Sequence, residues 1–207
     1  MPEKVRAMRT LLVRKNLIPE DFVDEATSMI ALERKITDLI DSCDNKTEVP
    51  DAILERVFHL IQIWGGVSGR GIYVKQPFNW TEFGPAYRNL INICRNADVI
   101  DDNTCRKVYD AIQTFLEDLR EIDYKGLGIA FITKHVHFWT HKNLPDNMLP
   151  IYDSTFSRNI TGEGQYATLH YLLQFWSAMR SKAKIEGIGL TRLERLLFSY
   201  YPKQKKQ

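Results

Sequence analysis

Two ionisable side chains stand in the least hospitable part of this sequence. In KGLGIAFITKHVHFWTHKNLPDNMLPIYDS, residues 125–154, Lys134 is flanked by Phe131, Ile132, Val136 and Phe138. Asp153 follows nineteen positions later, directly after Pro150-Ile151-Tyr152. A lysine in low-dielectric surroundings is a candidate nucleophile, because its neutral amine attacks an electrophilic carbon and forms a Schiff base. A carboxylate beside it can stabilise positive charge developing on a sugar and activate the incoming nucleophile. The plainer alternative is a lysine that snorkels to water and an aspartate that only N-caps a helix.

The same stretch carries a turn with a second kind of chemistry. A helix ending near Tyr124, a tight turn made possible by Gly126 and Gly128, and a helix from about Ile129 to Trp139 together read as a helix-hairpin-helix. Such a turn leaves backbone N–H groups free and points the positive end of the helix dipole outward. It can hold one phosphate of a nucleic-acid backbone without reading sequence, or serve as a plain connector. Further upstream, WGGVSGRGIYVKQPFNW reads as a loop or short hairpin, with Arg70 and Lys75 able to meet phosphates or base edges; Arg158 is a further DNA-binding candidate. An enzyme that works on a base within a duplex must extrude it against aromatic or apolar faces. Trp64, Tyr73, Trp139 and His137 are the candidates for that pocket, with Phe78 and Trp80 as further aromatics; packing in the core is the alternative for each. His135 and His137, two apart on a helix, point to different sides and make a poor metal pair, so no metal or other cofactor is expected.

These residues need a framework, and the sequence supplies helices. The 207 residues, 44% hydrophobic and 26% charged, suffice for one domain with a sizeable core or for two small lobes sharing a cleft; the reading adopted is a single helical domain over 1–207. Helical periodicity runs through 19–43, 50–64, 81–95, 101–121, 164–184 and 189–202, the last with Thr191 as its expected N-cap. Strand-like alternation is almost absent, so the fold class is all-α. A formal charge of +2 permits a nucleic-acid partner without announcing one, so any such footprint must be local. No signal peptide or membrane span is readable, and a monomeric cytoplasmic protein with three reduced, mostly buried thiols (Cys43, Cys94 and Cys105) is expected.

Taken together, Gly126-Leu127-Gly128, Thr133-Lys134 and Pro150-Ile151-Tyr152-Asp153-Ser154 resemble the helix-hairpin-helix superfamily of DNA glycosylases, most closely the 8-oxoguanine DNA glycosylases and their small bacterial relatives. The resemblance covers roughly residues 120–160. Lys134 lies six positions after Gly128, whereas the family's lysine usually follows the hairpin within two or three, where this chain has Ala130. What the resemblance implies is two helical lobes around a cleft, and excision of a damaged or modified base from double-stranded DNA. Lys134 and Asp153 would be catalytic, with associated Schiff-base lyase activity. Excision of a modified cytosine or other phage-modified base in antiviral defence is an alternative, and a non-catalytic DNA-binding module is another.

Overall fold

The computed structural model describes residues 3–18, 29–44, 47–74, 77–154 and 167–200. Among them the regular structure is entirely helical: α1 (Glu3–Arg14), α2 (Met29–Asp41), α3 (Asp51–Gly65), the short α4 (Gly71–Val74), α5 (Trp80–Arg95), α6 (Asp102–Glu121), α7 (Ile129–Thr140), α8 (Leu169–Glu186) and α9 (Leu190–Tyr200). The chemistry of the termini explains several of these bounds. Asp101 opens α6 by accepting the Thr104 N–H at 2.7 Å, and that hydrogen bond holds its carboxyl below the usual carboxylate range. Gly187 closes α8 at φ 64, which lets the Ile188 N–H return to the Ala183 carbonyl at 3.1 Å.

The all-helical reading holds among the described residues, with local differences. The glycine-rich stretch after α3 is not a hairpin: Gly66 at φ 81 ends α3, a 3-10 turn follows over Val67–Arg70, and α4 buries Ile72 and Tyr73. Burial of those two side chains outweighs the poor helix propensity of the glycines around them. Thr191 lies inside α9 rather than capping it, because Asn147 accepts the first N–H of that helix, from Leu190, at 3.2 Å. The mixed-charge N-terminus forms α1, burying Val5, Met8 and Leu12 along one stripe. The first part of the helix expected over 19–43 lies outside the described residues.

The chain forms two compact units, 1–92 with 114–127 and 93–113 with 128–207; the divisions fall within α5 and α6 and just before Gly128. The core of the first unit is aromatic. Phe58 stacks on Phe78 with ring centroids 5.6 Å apart and lies 4.7 Å from Phe83, and Phe83 in turn lies 5.7 Å from both Phe115 and Tyr124. The Tyr124 hydroxyl accepts the Asn79 N–H at 2.6 Å, tying the turn after α6 to the start of α5. Gly126 of that turn lies backbone to backbone against the start of α4. A Cβ on Gly126 would stand 2.6 Å from the Gly71 carbonyl carbon and 2.8 Å from the Ile72 nitrogen, at a φ of +101. In the second unit the core is built by α7, α8 and α9 around the chain leaving α7, with Cys105, Val108 and Ile112 of the first half of α6.

The two glycines of the turn therefore tolerate substitution differently. Gly126→Ala meets both a disfavoured φ and a backbone clash, and unfolding in urea should show a loss of about 2 kcal/mol or more. Gly128, with extended backbone and nothing within 4 Å of an added Cβ, should accept serine with a change within about 0.5 kcal/mol.

Candidate functional site

Asp153 is delivered by a segment that has no regular structure and yet is buried. Met148, Leu149, Ile151 and Tyr152 are core residues, so each of their backbone N–H groups needs a partner that neither helix nor sheet provides. Proline at position 150 removes one of the five donors at the outset. Side chains of the surrounding helices take the other four. The Met148 N–H donates to Thr191 Oγ1 at 3.1 Å, Leu149 to Thr140 Oγ1 at 3.0 Å, Ile151 to Glu194 Oε1 at 2.8 Å and Tyr152 to Thr133 Oγ1 at 3.1 Å. Two carbonyls are held likewise: His137 Nδ1–H donates to Leu149 and Trp176 Nε1–H to Pro150, each at 3.0 Å. The Tyr152 ring stacks on Phe175 of α8 at 4.7 Å.

Each threonine also donates, which keeps its own hydroxyl satisfied. Thr133 reaches the Ile129 carbonyl at 3.0 Å, Thr140 the His137 carbonyl at 3.0 Å and Thr191 the Pro145 carbonyl at 3.1 Å. Leaving any of these buried groups without a partner costs about 1–3 kcal/mol, so the segment has one favourable path.

This strap joins the neighbours of the two ionisable residues anticipated from sequence. Thr133 and Tyr152 are hydrogen-bonded, and Lys134 and Asp153 are the next residue on each side. Both are half-buried, and Lys134 Nζ stands 4.1 Å from the centroid of the buried Phe131 ring, within cation–π range. At the start of the same helix Gly128 is exposed and makes no side-chain cap, so the first turn of α7 opens beside an uncovered backbone.

The other anticipated residues divide. Arg70 is exposed on the 3-10 turn immediately before Gly71, the residue against which Gly126 packs. Trp64, Phe78 and Trp80 are half-buried. Tyr73 and Trp139 are 0% exposed and His137 7%, so these three are core residues and not the lining of an open base pocket. Tyr73 shares a hydrogen bond with His59 Nδ1 at 2.8 Å, and His137 spends its Nδ1–H on the strap. Lys75 and Arg158 lie outside the described residues. The holders of the strap, Thr140, Trp176 and Glu194, went unread as such. Their signal is present in the spacing: Thr133, His137 and Thr140 recur one turn apart on a largely apolar helix, and Thr191 and Glu194 stand one turn apart.

The three cysteines are free and buried; burial pushes the Cys105 thiol up to about 11. No described helix is long and apolar enough to cross a membrane, and no group of three or more His, Cys, Asp or Glu among the described residues is placed to hold a metal ion. No family model, no curated protein and no solved structure matches the chain.

Acid should loosen the strap. Burial lowers the His137 pKa from 6.5 to about 4, against a smaller opposing effect of its bond to the Leu149 carbonyl. The unfolded chain therefore gains a proton near pH 6.5 that the folded chain refuses until about pH 4, and stability falls as pH drops through that window by up to about 3 kcal/mol. His59, also lowered by burial, adds to the fall. Urea midpoints measured from pH 7 to 4 should drop less steeply in His137→Asn, whose amide donates from a similar position but does not titrate.

Proposed function

We propose that the chain is a helix-hairpin-helix DNA glycosylase that excises a damaged or modified base from duplex DNA, with Schiff-base lyase activity. The observation that carries this reading is the Thr133–Tyr152 hydrogen bond, which holds the segments of Lys134 and Asp153 side by side at half-buried positions. The open start of α7 at Gly128 adds a place for one phosphate of the strand, bound by N–H groups and helix dipole.

In this reading Lys134, once deprotonated, attacks C1′ of the target nucleotide. The glycosidic C1′–N bond breaks, and the base leaves with its bonding electron pair and takes up a proton. The Asp153 carboxylate stabilises the positive charge that builds on the sugar as that bond lengthens. Opening of the C1′–O4′ bond gives an iminium between Lys134 and the sugar. Loss of a C2′ proton then expels the 3′-phosphate by β-elimination and nicks the strand. Phe131 beneath Nζ keeps water off one side of the amine.

Because the lyase half-reaction needs no knowledge of the base, it gives the cleanest test. A duplex with one abasic site, incubated with the protein and borohydride, should yield a covalent adduct that disappears in Lys134→Ala. Asp153→Asn should keep the fold and lower base release from a cognate oligonucleotide by two to four powers of ten, roughly the scale for a positioned acid–base group. Absence of any adduct with the wild type rejects the lyase. Release of a base with no adduct leaves a water-attacking glycosylase centred on Asp153. Duplex binding with neither adduct nor release, across a panel of modified bases, makes the chain a binding module.

The hairpin has a separate test. Gly128→Asp supplies the N-cap that α7 lacks and should hold or raise stability. It also sets a negative charge against the phosphate, so duplex affinity should fall about tenfold or more whatever the sequence. Unchanged affinity reduces the turn to a connector.

A further inference from the structure

A concave region in the unit formed by 93–113 and 128–207 has room for a small molecule. It consists of two hollows, of about 690 and 560 Å³, that meet at Arg180 of α8, whose guanidinium Nη1 donates to Asp102 of α6. Both volumes fall in the range of ligand sites, and the larger hollow sets a row of apolar side chains against charged and hydroxyl-bearing ones. Its floor is Val99, Ile100, Leu144, Ile188 and Leu190. Along one side α8 presents Ser177, Arg180, Ser181 and Lys184, one to two turns apart, so two hydroxyls and two cations line the same edge, with the carboxylates of Asp98 and Asp102 across from them in the lining.

The arginine is available although it is paired. Asp102 is 88% exposed while Arg180 is only 24% exposed, so the anchored partner is the cation and the mobile one is the carboxylate. An ion pair with so exposed a partner is weak, whereas a phosphate brings more negative charge and three strong acceptor oxygens to the same guanidinium. An incoming phosphate therefore displaces Asp102 with net gain.

We propose that this groove binds a nucleotide, its base lying on the Val99–Ile100–Leu144–Ile188 floor and its phosphate held by Arg180, Ser177 and Ser181. A planar apolar body joined to an anion fits both halves of the groove at once. The proposal is independent of the glycosylase reading, since none of these residues belongs to the Lys134–Asp153 strap or to the hairpin. A nucleotide reaches such a site either free in solution or as one unit of a strand, and the chemistry of recognition is shared.

Adenosine 5′-monophosphate is a suitable probe, titrated calorimetrically against the full chain. Wild type should bind saturably, and more tightly than it binds adenosine or inorganic phosphate alone. Arg180→Gln should weaken binding at least tenfold, and Val99→Asp, on an exposed part of the floor, should weaken it without loss of fold. Asp102→Asn should tighten it several-fold, because the competing carboxylate is gone; a merely structural ion pair predicts no gain. Displacement of the probe by a short oligoadenylate assigns the groove to a strand, and failure to displace assigns it to a free nucleotide. The proposal is overturned if wild type shows no saturable binding at millimolar probe, or if Arg180→Gln binds as wild type does. Borohydride trapping through Lys134 is read separately, so either idea can fail alone.

Discussion

A buried backbone with no secondary structure of its own is the constraint on which the second unit turns. Four N–H groups and two carbonyls between Met148 and Tyr152 are satisfied by side chains from α7, α8 and α9. Each unmet group would cost as much as a sizeable fraction of a domain's net stability. The three helices are thus fixed relative to the strap by polar geometry as well as by apolar packing. The alternative, an apolar segment forced into helix or strand, is closed by Pro150.

That arrangement explains why polar residues sit on the apolar side of α7. Thr133, His137 and Thr140 occupy core positions that leucine or valine would fill in a simple bundle, and burial keeps His137 neutral so that it acts as a donor without carrying charge into the core. Glu194 adds an acceptor, with Oε1 on the Ile151 N–H and Oε2 3.3 Å from His137 Nδ1. Specificity of path, more than raw stability, is what such a network supplies.

Periodicity and capping residues were enough to read α3, α5, α6 and α7 to within a residue or two, because those helices are amphipathic and their starts carry Pro50, Asn79, Asp101 and Gly128. The stretch from 65 to 74 was misread because glycine content says loop, while the deciding fact, burial of Ile72 and Tyr73 against distant helices, is tertiary. The same limit hid the strap. Nothing local tells that Thr191 and Glu194 serve Met148 and Ile151 forty-three positions earlier. The aromatic residues erred in the other direction: Tyr73 and Trp139 have the chemistry of a base pocket, but large rings are also what fills a core.

The strap also sets an order of assembly. Its partners are separated from it by nine to forty-three residues, and the most distant lie on α9, the last described helix. Loop closure over such lengths is made before the contacts reward it, so α7 can form early from local interactions while Met148–Tyr152 waits for α8 and α9 to dock. During synthesis the chain exposes α7 well before the residues of α9 that hold the strap have left the ribosome. The settled path of the strap is thereby withheld from every partly folded form, and a chain shortened before α9 would keep α7 but lose the partners of the Met148 and Ile151 N–H groups.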